Sequence, residues 1–119
     1  METKYDIKPF VELGERLSRG LSEGRLDEVI ARSTQQNAWF TDASVRMAIG
    51  ALCSDMLSPK ALEDWLLAYA GHTLSAGKKV GIVMAGNLPL VGFADLMCVL
   101  LAGHRAWIKP SSKDRVLTE

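Results

Sequence analysis

The run Val80-Gly81-Ile82-Val83-Met84, with the residues that follow it, decides the fold of this chain. A short, continuous, β-branched apolar run is typical of a buried strand in a parallel sheet. Pro89 then opens an apolar stretch that we expect to form a buried helix ending at Gly103. Arg105-Ala106-Trp107-Ile108 is predicted to be a second strand. Strand, helix and strand make a βαβ unit, so the predicted fold class is α/β.

Residues 1–76 are predicted to form a helical N-terminal region. Helix start signals, either a first-turn proline or a hydroxyl or acidic N-cap, occur at Pro9, at Thr41 or Asp42, and at Ser58-Pro59. Gly20 and Gly71 are expected to end the first and last of these helices, because glycine favours a helix C-terminus. The aromatic residues Trp39, Phe40 and Trp65 are interpreted as packing residues.

Residues 77–119 are predicted to start a parallel α/β domain. Two strands alone leave an unpaired edge on each side of the sheet, and other strands normally cover such edges. We therefore expect the sheet to be incomplete and the chain to be the N-terminal part of a longer protein.

The balance of charges excludes several classes of partner. The chain has 119 residues, and 14 basic side chains offset 14 acidic ones, so there is no basic excess for nucleic acid or an anionic membrane. The charged N-terminus is unlike a signal peptide, and the most apolar stretch, Leu88 to Ala102, is too short to span a bilayer. We therefore expect a cytoplasmic protein with no integral membrane segment, in which Cys53 and Cys98 stay reduced.

Two loops follow the predicted strands at their carboxyl ends, where ligands bind in open α/β sheets. The first loop holds one polar side chain, Asn87, and the second holds Lys109, Pro110, Ser111 and Ser112. An amide that faces a cleft can donate to a developing oxyanion, and a lysine beside hydroxyls can hold a phosphate or a ribose. Neither loop carries the G-x-G-x-x-G pattern of ordinary dinucleotide sites.

Each of these residues also has a simpler interpretation. Asn87 after a glycine suits a turn, Lys109 suits a solvated strand end, and Ser111 can bond the local backbone. His72 and His104 lie at a helix end and a helix-to-strand corner, and no spacing typical of metal ligands surrounds them. The sequence therefore predicts no metal site.

The segment from Lys79 to Ser112 resembles the first βαβ unit of the aldehyde dehydrogenase superfamily. Its run from Met84 to Phe93 (MAGNLPLVGF) and its corner Gly103-His104-Arg105-Ala106 look like the branch of bacterial fatty acyl-CoA reductases, the LuxC type. The resemblance covers about a third of the chain, and Asn37 to Thr41 fits the family's N-terminal region more loosely. It implies that residues 77–119 are the start of a truncated NADP-binding, Rossmann-like domain.

The resemblance also implies roles for single residues. Asn87 matches the asparagine whose amide donates to the thioester oxygen, and Lys109 matches the lysine that contacts the adenosine ribose or its phosphate. Ser111 and Ser112 belong to the same cofactor loop. Ser112 stands where many members have a glutamate that binds the ribose 2′-hydroxyl, and serine leaves room for a 2′-phosphate, which favours NADPH over NADH. Many aldehyde dehydrogenases have proline-tryptophan where this chain has Ala85-Gly86, which argues against a simple aldehyde oxidase.

The implied function is that of an acyl-CoA reductase, which converts a long-chain fatty acyl-CoA to a fatty aldehyde with NADPH, as in bioluminescence. A cysteine of such an enzyme carries the acyl group as a thioester, and neither Cys53 nor Cys98 matches it. We therefore expect the nucleophile outside this chain and no activity from the chain alone. The whole enzyme is expected to form a homo-oligomer or to work with an acyl-transfer partner. The alternative is a non-catalytic nucleotide-binding or interaction module.

Overall fold

A computed structural model describes residues 5–71 and 77–119 of the chain as a mixed α/β structure. Its helices, in chain order, are α1 (Lys8–Ser22), α2 (Asp27–Gln36), α3 (Asp42–Ala51), α4 (Pro59–Leu67) and α5 (Phe93–Leu101). A π-helical turn, Leu52–Met56, joins α3 to α4. The predicted boundary between residues 76 and 77, and the prediction for His72, involve residues outside the described ones.

The predicted pair of parallel strands is confirmed. Strand β1 (Lys79–Val83) lies beside β2 (Arg105–Lys109), and α5 connects them. The register pairs Lys79 with Arg105 and Val83 with Lys109. Within the described residues this sheet has two strands. Because they run parallel, their carboxyl ends lie at the same edge of the sheet.

The predicted start signals in the helical region are confirmed where side chains cap the helices. Thr41 is the N-cap of α3, where its hydroxyl accepts from the backbone of Ser44 and the Ser44 hydroxyl accepts from Thr41 in return, each at 3.0 Å. Ser58 caps α4 by accepting from the backbone N–H of Ala61 at 3.2 Å, with Pro59 at the first helical position.

The prediction that Gly20 ends the first helix is wrong. Helix α1 continues to Ser22, and Gly20 is buried within it. A Cβ atom at Gly20 would lie 3.0 Å from Cγ of Leu26, so this glycine allows a close approach between the end of α1 and the start of α2. The turn itself is made at Gly24, whose φ of +77° suits glycine.

Two other helix ends also differ from the predictions. Helix α4 ends at Leu67 and not at Gly71. Helix α5 begins at Phe93 and not directly after Pro89, because Leu90 has a φ of +56°, which no right-handed helix contains. The prediction that Gly103 ends this segment is confirmed by its φ of +86°, one residue beyond the C-cap.

The core joins the helical region to the βαβ unit. One apolar cluster contains buried residues of α4 and α5 together with neighbours before them: Tyr5, Leu57, Leu62, Leu66, Met97 and Leu101. A second cluster lies between α2 and α3 and contains Ile30, Phe40, Val45 and Ile49. The residues on both sides of positions 72–76 therefore share a hydrophobic core.

Two expectations about burial, for Trp39 and for helix α5, are corrected. Trp39 is 89% exposed, so its predicted packing role is wrong, whereas Phe40 is buried. The side chain of Asn37 accepts from the backbone of Trp39, and this turn sends Phe40 inward and Trp39 outward. Helix α5 buries one face only, because Leu100 is 43% exposed on the opposite side.

None of the described helices combines the length and apolarity that crossing a bilayer requires.

Candidate functional site

The two loops singled out in the sequence lie against each other. The backbone N–H of Met84 donates to the carbonyl of Lys109 at 3.0 Å, which extends the pairing of the strands into the loops. A Cβ atom at Gly86 would lie 2.7 Å from Cβ of Ser111 and 3.0 Å from Cβ of Lys113. Only glycine permits this contact, so the residue before Asn87 sets the distance between the two loops.

Asn87 is exposed in the turn that begins after Gly86. Among residues 5–71 and 77–119 its amide has no hydrogen-bond partner. A turn made by asparagine would ordinarily use the side chain to bond the local backbone. The side-chain amide of Asn87 is therefore available to a ligand at the carboxyl end of β1.

The end of β2 and the loop after it present cations and hydroxyls. Lys109 was predicted to begin this loop, but it is the last residue of β2 and pairs with Val83. Lys109, Ser112 and Lys113 are exposed, and Ser111 is half-buried. The Ser111 hydroxyl accepts from the backbone N–H of Lys113 at 3.2 Å, which is the local backbone bond considered for it in the sequence. That bond uses one lone pair, so the hydroxyl hydrogen can still reach an acceptor.

The end of α2 holds both loops through side-chain bonds that span the chain. The amide of Asn37, buried at 8% exposure, donates to the carbonyl of Lys113 at 3.0 Å and, more weakly, to that of Gly86 at 3.5 Å. The neighbouring Gln36 accepts from the backbone of Arg115 at 3.2 Å and of Val116 at 3.4 Å. Sequence reasoning missed these contacts, since Asn37 entered it only as the first residue of a segment that loosely fits the family's N-terminal region.

Asp114 is the second residue that the sequence left without a place in the site. It is 3% exposed, and its Oδ2 accepts from the backbone N–H of Leu90 at 2.8 Å. Burial raises the pKa of Asp114, and hydrogen bonds from the backbone of Leu90 and Leu117 oppose that rise.

The raised pKa of Asp114 gives a pH dependence with a definite sign. A carboxyl whose pKa is higher in the folded state contributes stability below its unfolded value, and loses it as the pH rises through the folded value. We therefore expect Asp114→Asn, which cannot ionise, to gain free energy of unfolding relative to the unmodified chain as the pH rises from about 4. Urea unfolding at a series of pH values checks this. Asp95→Asn, at an exposed position, is the control, and a difference that shrinks with rising pH would contradict the prediction.

Several crevices border the described helices, and two of them bear on the choice of site. The smaller one, about 190 Å³, lies beneath the turn after Asn87 and is lined by Leu13, Leu17, Met84, Phe93, Asp114 and others. The larger one, about 560 Å³, lies between α1 and α3 and includes Cys53, but none of the loop residues. Asn87, Lys109, Ser111 and Ser112 line neither of these two crevices. The smaller one adjoins the two loops through Met84, Ala85 and Asp114, and we place the candidate site at the loop surface next to it.

Neither cysteine has the properties of a catalytic nucleophile. Burial raises the pKa of the Cys53 thiol, and burial followed by the charge of Asp95 raises that of Cys98. Both cysteines are unpaired, as expected. The described residues also hold no group of three or more histidine, cysteine and acidic side chains suited to a metal ion.

We expect both thiols to react slowly at neutral pH, because the thiolate is the reactive form and both pKa values are raised. Iodoacetamide labelling followed by mass spectrometry should give rates at or below that of free cysteine at pH 7, increasing as the pH is raised. Labelling of either thiol on the order of tenfold faster than free cysteine would show an activated nucleophile and contradict the prediction.

The face of the sheet opposite α5 is open. Val83 is 83% exposed and Trp107 is 63% exposed. The ammonium of Lys79 lies 5.7 Å from the centre of the Trp107 ring, within the range of a cation–π contact. This face is both apolar and basic in the described structure.

Comparisons of the chain with protein-family models, with curated proteins and with solved structures give no match. The roles of Asn87, Lys109, Ser111 and Ser112 therefore stay predictions. Their support is the sequence resemblance and the contact between their loops.

Proposed function

We propose that this chain is the N-terminal part of an NADPH-dependent acyl-CoA reductase with a Rossmann-like cofactor domain of the aldehyde dehydrogenase type. The substrate is a long-chain fatty acyl-CoA, and the product is the fatty aldehyde. The observation that carries the proposal is the contact between the Asn87 turn and the Lys109–Ser112 loop. In this contact Gly86, the residue before Asn87, packs against Ser111 and Lys113. An exposed amide and exposed cations and hydroxyls therefore follow the two strands at the same edge of the sheet.

In this proposal Asn87 stabilises charge on the thioester oxygen. A cysteine thiolate outside this chain attacks the acyl carbon, and the carbonyl electrons move onto that oxygen. The amide N–H of Asn87 donates to the oxyanion until the carbonyl re-forms and CoA leaves as a thiolate. A donor held by a fixed turn needs little reorganisation during this step, which makes it effective.

The end of β2 and the loop after it fit a nucleotide phosphate. Lys109 and Lys113 supply positive charge, and the Ser111 and Ser112 hydroxyls can donate hydrogen bonds. The carboxyl group that follows this loop, Asp114, is buried and accepts from the Leu90 backbone, so it is not displayed at the loop surface where an anion would bind. NADPH would supply the hydride that releases the aldehyde. A 2′-phosphate is better accommodated here than in a loop with an exposed acid.

Protein expressed from the complete reading frame that contains this chain tests the proposal. We expect NADPH oxidation to depend on added long-chain acyl-CoA, and the frame beyond Glu119 to hold a cysteine preceded by glycine-rich sequence. Ser112→Glu should lower the preference for NADPH over NADH by on the order of tenfold or more, through repulsion of the 2′-phosphate. Ser54→Glu, at an exposed position far from the loops, is the control. Absence of acyl-CoA-dependent oxidation would refute the proposal.

A non-catalytic nucleotide-binding or interaction module is the second candidate. The open sheet face with Trp107 and Lys79 favours it, because an exposed ring beside a cation suits a planar ligand or a partner. Isothermal titration of the 119-residue chain with NADPH distinguishes the two when it is paired with the activity assay. Binding without turnover in the whole protein favours the module, and no heat at millimolar NADPH argues against it.

A further inference from the structure

Leu90 has an unusual backbone conformation three residues after Asn87. Its φ of +56° makes it the one non-glycine residue with positive φ among residues 5–71 and 77–119. A branched side chain in this region is strained by about 1–3 kcal/mol, and such strain persists only where surrounding contacts hold it. The contact that holds it here is the bond from the Leu90 N–H to Asp114.

An acidic residue beneath this turn, Asp114, is unfavourable for the free energy of folding. Its side chain lies in the wall of a largely apolar crevice, and its Oδ1 has no hydrogen-bond partner within the described structure. A buried carboxylate with an unsatisfied oxygen lowers the stability of the fold. Stability alone therefore does not explain an acid here, whereas a need to fix the Leu90 N–H does.

The turn is held at its other end as well. Gly86 packs against Ser111, and its carbonyl accepts weakly from Asn37 at 3.5 Å. Asn87 thus lies between a sterically fixed residue and one held by a hydrogen bond to a buried carboxyl group. The backbone on both sides of its side chain is constrained, although the side chain itself is exposed.

We propose that Asp114 is a positioning residue, which fixes Leu90 and thereby sets the direction of the Asn87 amide. The role assigned to Asn87 rests on the proposed function. The hydrogen bond by which Asp114 fixes Leu90 does not depend on that function, and its effect can be measured without an activity assay.

Hydrogen exchange in the 15N-labelled chain tests the hold. Asp114→Ala removes the acceptor, so the Leu90 amide should exchange about tenfold to hundredfold faster. Asp114→Asn retains an acceptor oxygen and should restore most of the protection, while Asp95→Ala should leave Leu90 unchanged. Equal exchange in Asp114→Ala and the unmodified chain overturns the proposal. So does an unprotected Leu90 amide in the unmodified chain, which keeps the test decisive if the alanine variant does not fold.

Kinetics of the whole reductase test the positioning role. Asp114→Ala should lower kcat by on the order of tenfold to hundredfold, because a small displacement of a catalytic group has effects of this size. The KM for NADPH should stay within about twofold, a separation that general loss of structure would not produce. Faster Leu90 exchange with unchanged kcat overturns the positioning role. If the unmodified protein reduces no acyl-CoA, the proposed function has failed, while the exchange result still decides whether Asp114 holds the turn.

Discussion

Asn87→Ala is expected to lower kcat for acyl-CoA reduction by about 100- to 1000-fold, the usual cost of losing one oxyanion donor. The donor acts only when charge appears on the thioester oxygen, so its loss affects the transition state far more than the bound substrate. We therefore expect KM for the acyl-CoA to change little. Steady-state rates of NADPH oxidation, measured over a range of acyl-CoA concentrations, separate the two parameters.

The same substitution should have little effect on the fold. Asn87 is exposed, and exposed positions without special contacts usually change the free energy of unfolding by less than about 0.5 kcal/mol. Gln35→Ala is the control, since it removes an exposed amide on α2, one residue before Gln36, that makes none of the bonds to the two loops. A variant at position 87 with near-normal kcat would remove Asn87 from the mechanism, whereas loss of folding would show that it is a structural turn residue.

The parts of the fold that could be predicted depend on short-range signals. Thr41 and Ser58 cap helices because their hydroxyls reach N–H groups three residues away, which a sequence pattern contains completely. The apolar run from Val80 to Val83 and the strand from Arg105 can likewise be recognised from their own residues alone. Parallel pairing then follows from the helix between them.

The misplaced ends depend on contacts between distant residues. Gly20 has the composition of a helix stop, but its partner Leu26 makes it a packing position inside α1. Helix α5 starts late because Leu90 is held by Asp114, 24 residues further along the chain. No local pattern shows such a bond, and leucine is a poor indicator of positive φ.

The candidate site likewise has a part that could be predicted from the sequence and a part that could not. The two loops could be predicted, because the carboxyl ends of parallel strands meet at one edge of a sheet. The residues that fix them could not, since Asn37 reaches Lys113 across 76 positions and Asp114 reaches Leu90 across 24. An asparagine just after a helix and an acid just after a strand loop are common in sequences, so neither carries a specific signal on its own.

Leu62→Ala is the substitution with the largest expected effect on stability. Leu62 is fully buried at 0% exposure in the cluster that joins α4 to α5. Truncating a buried leucine removes apolar contacts and leaves a cavity, at a cost of about 2–5 kcal/mol. Domains of this size have a free energy of unfolding of only about 5–15 kcal/mol, so the substitution would remove a large part of it.

Leu67→Ala is the matched control, because it is the same change on the same helix at a side chain that is 54% exposed. Its expected effect is below about 0.5 kcal/mol. Urea unfolding followed by circular dichroism should give a lower midpoint for Leu62→Ala with an unchanged slope, and tryptophan fluorescence should report the same midpoint. Because the cluster spans α4 and α5, the helical region and the βαβ unit should unfold together. Separate midpoints for the two signals, or equal effects of the two variants, would contradict a core shared across positions 72–76.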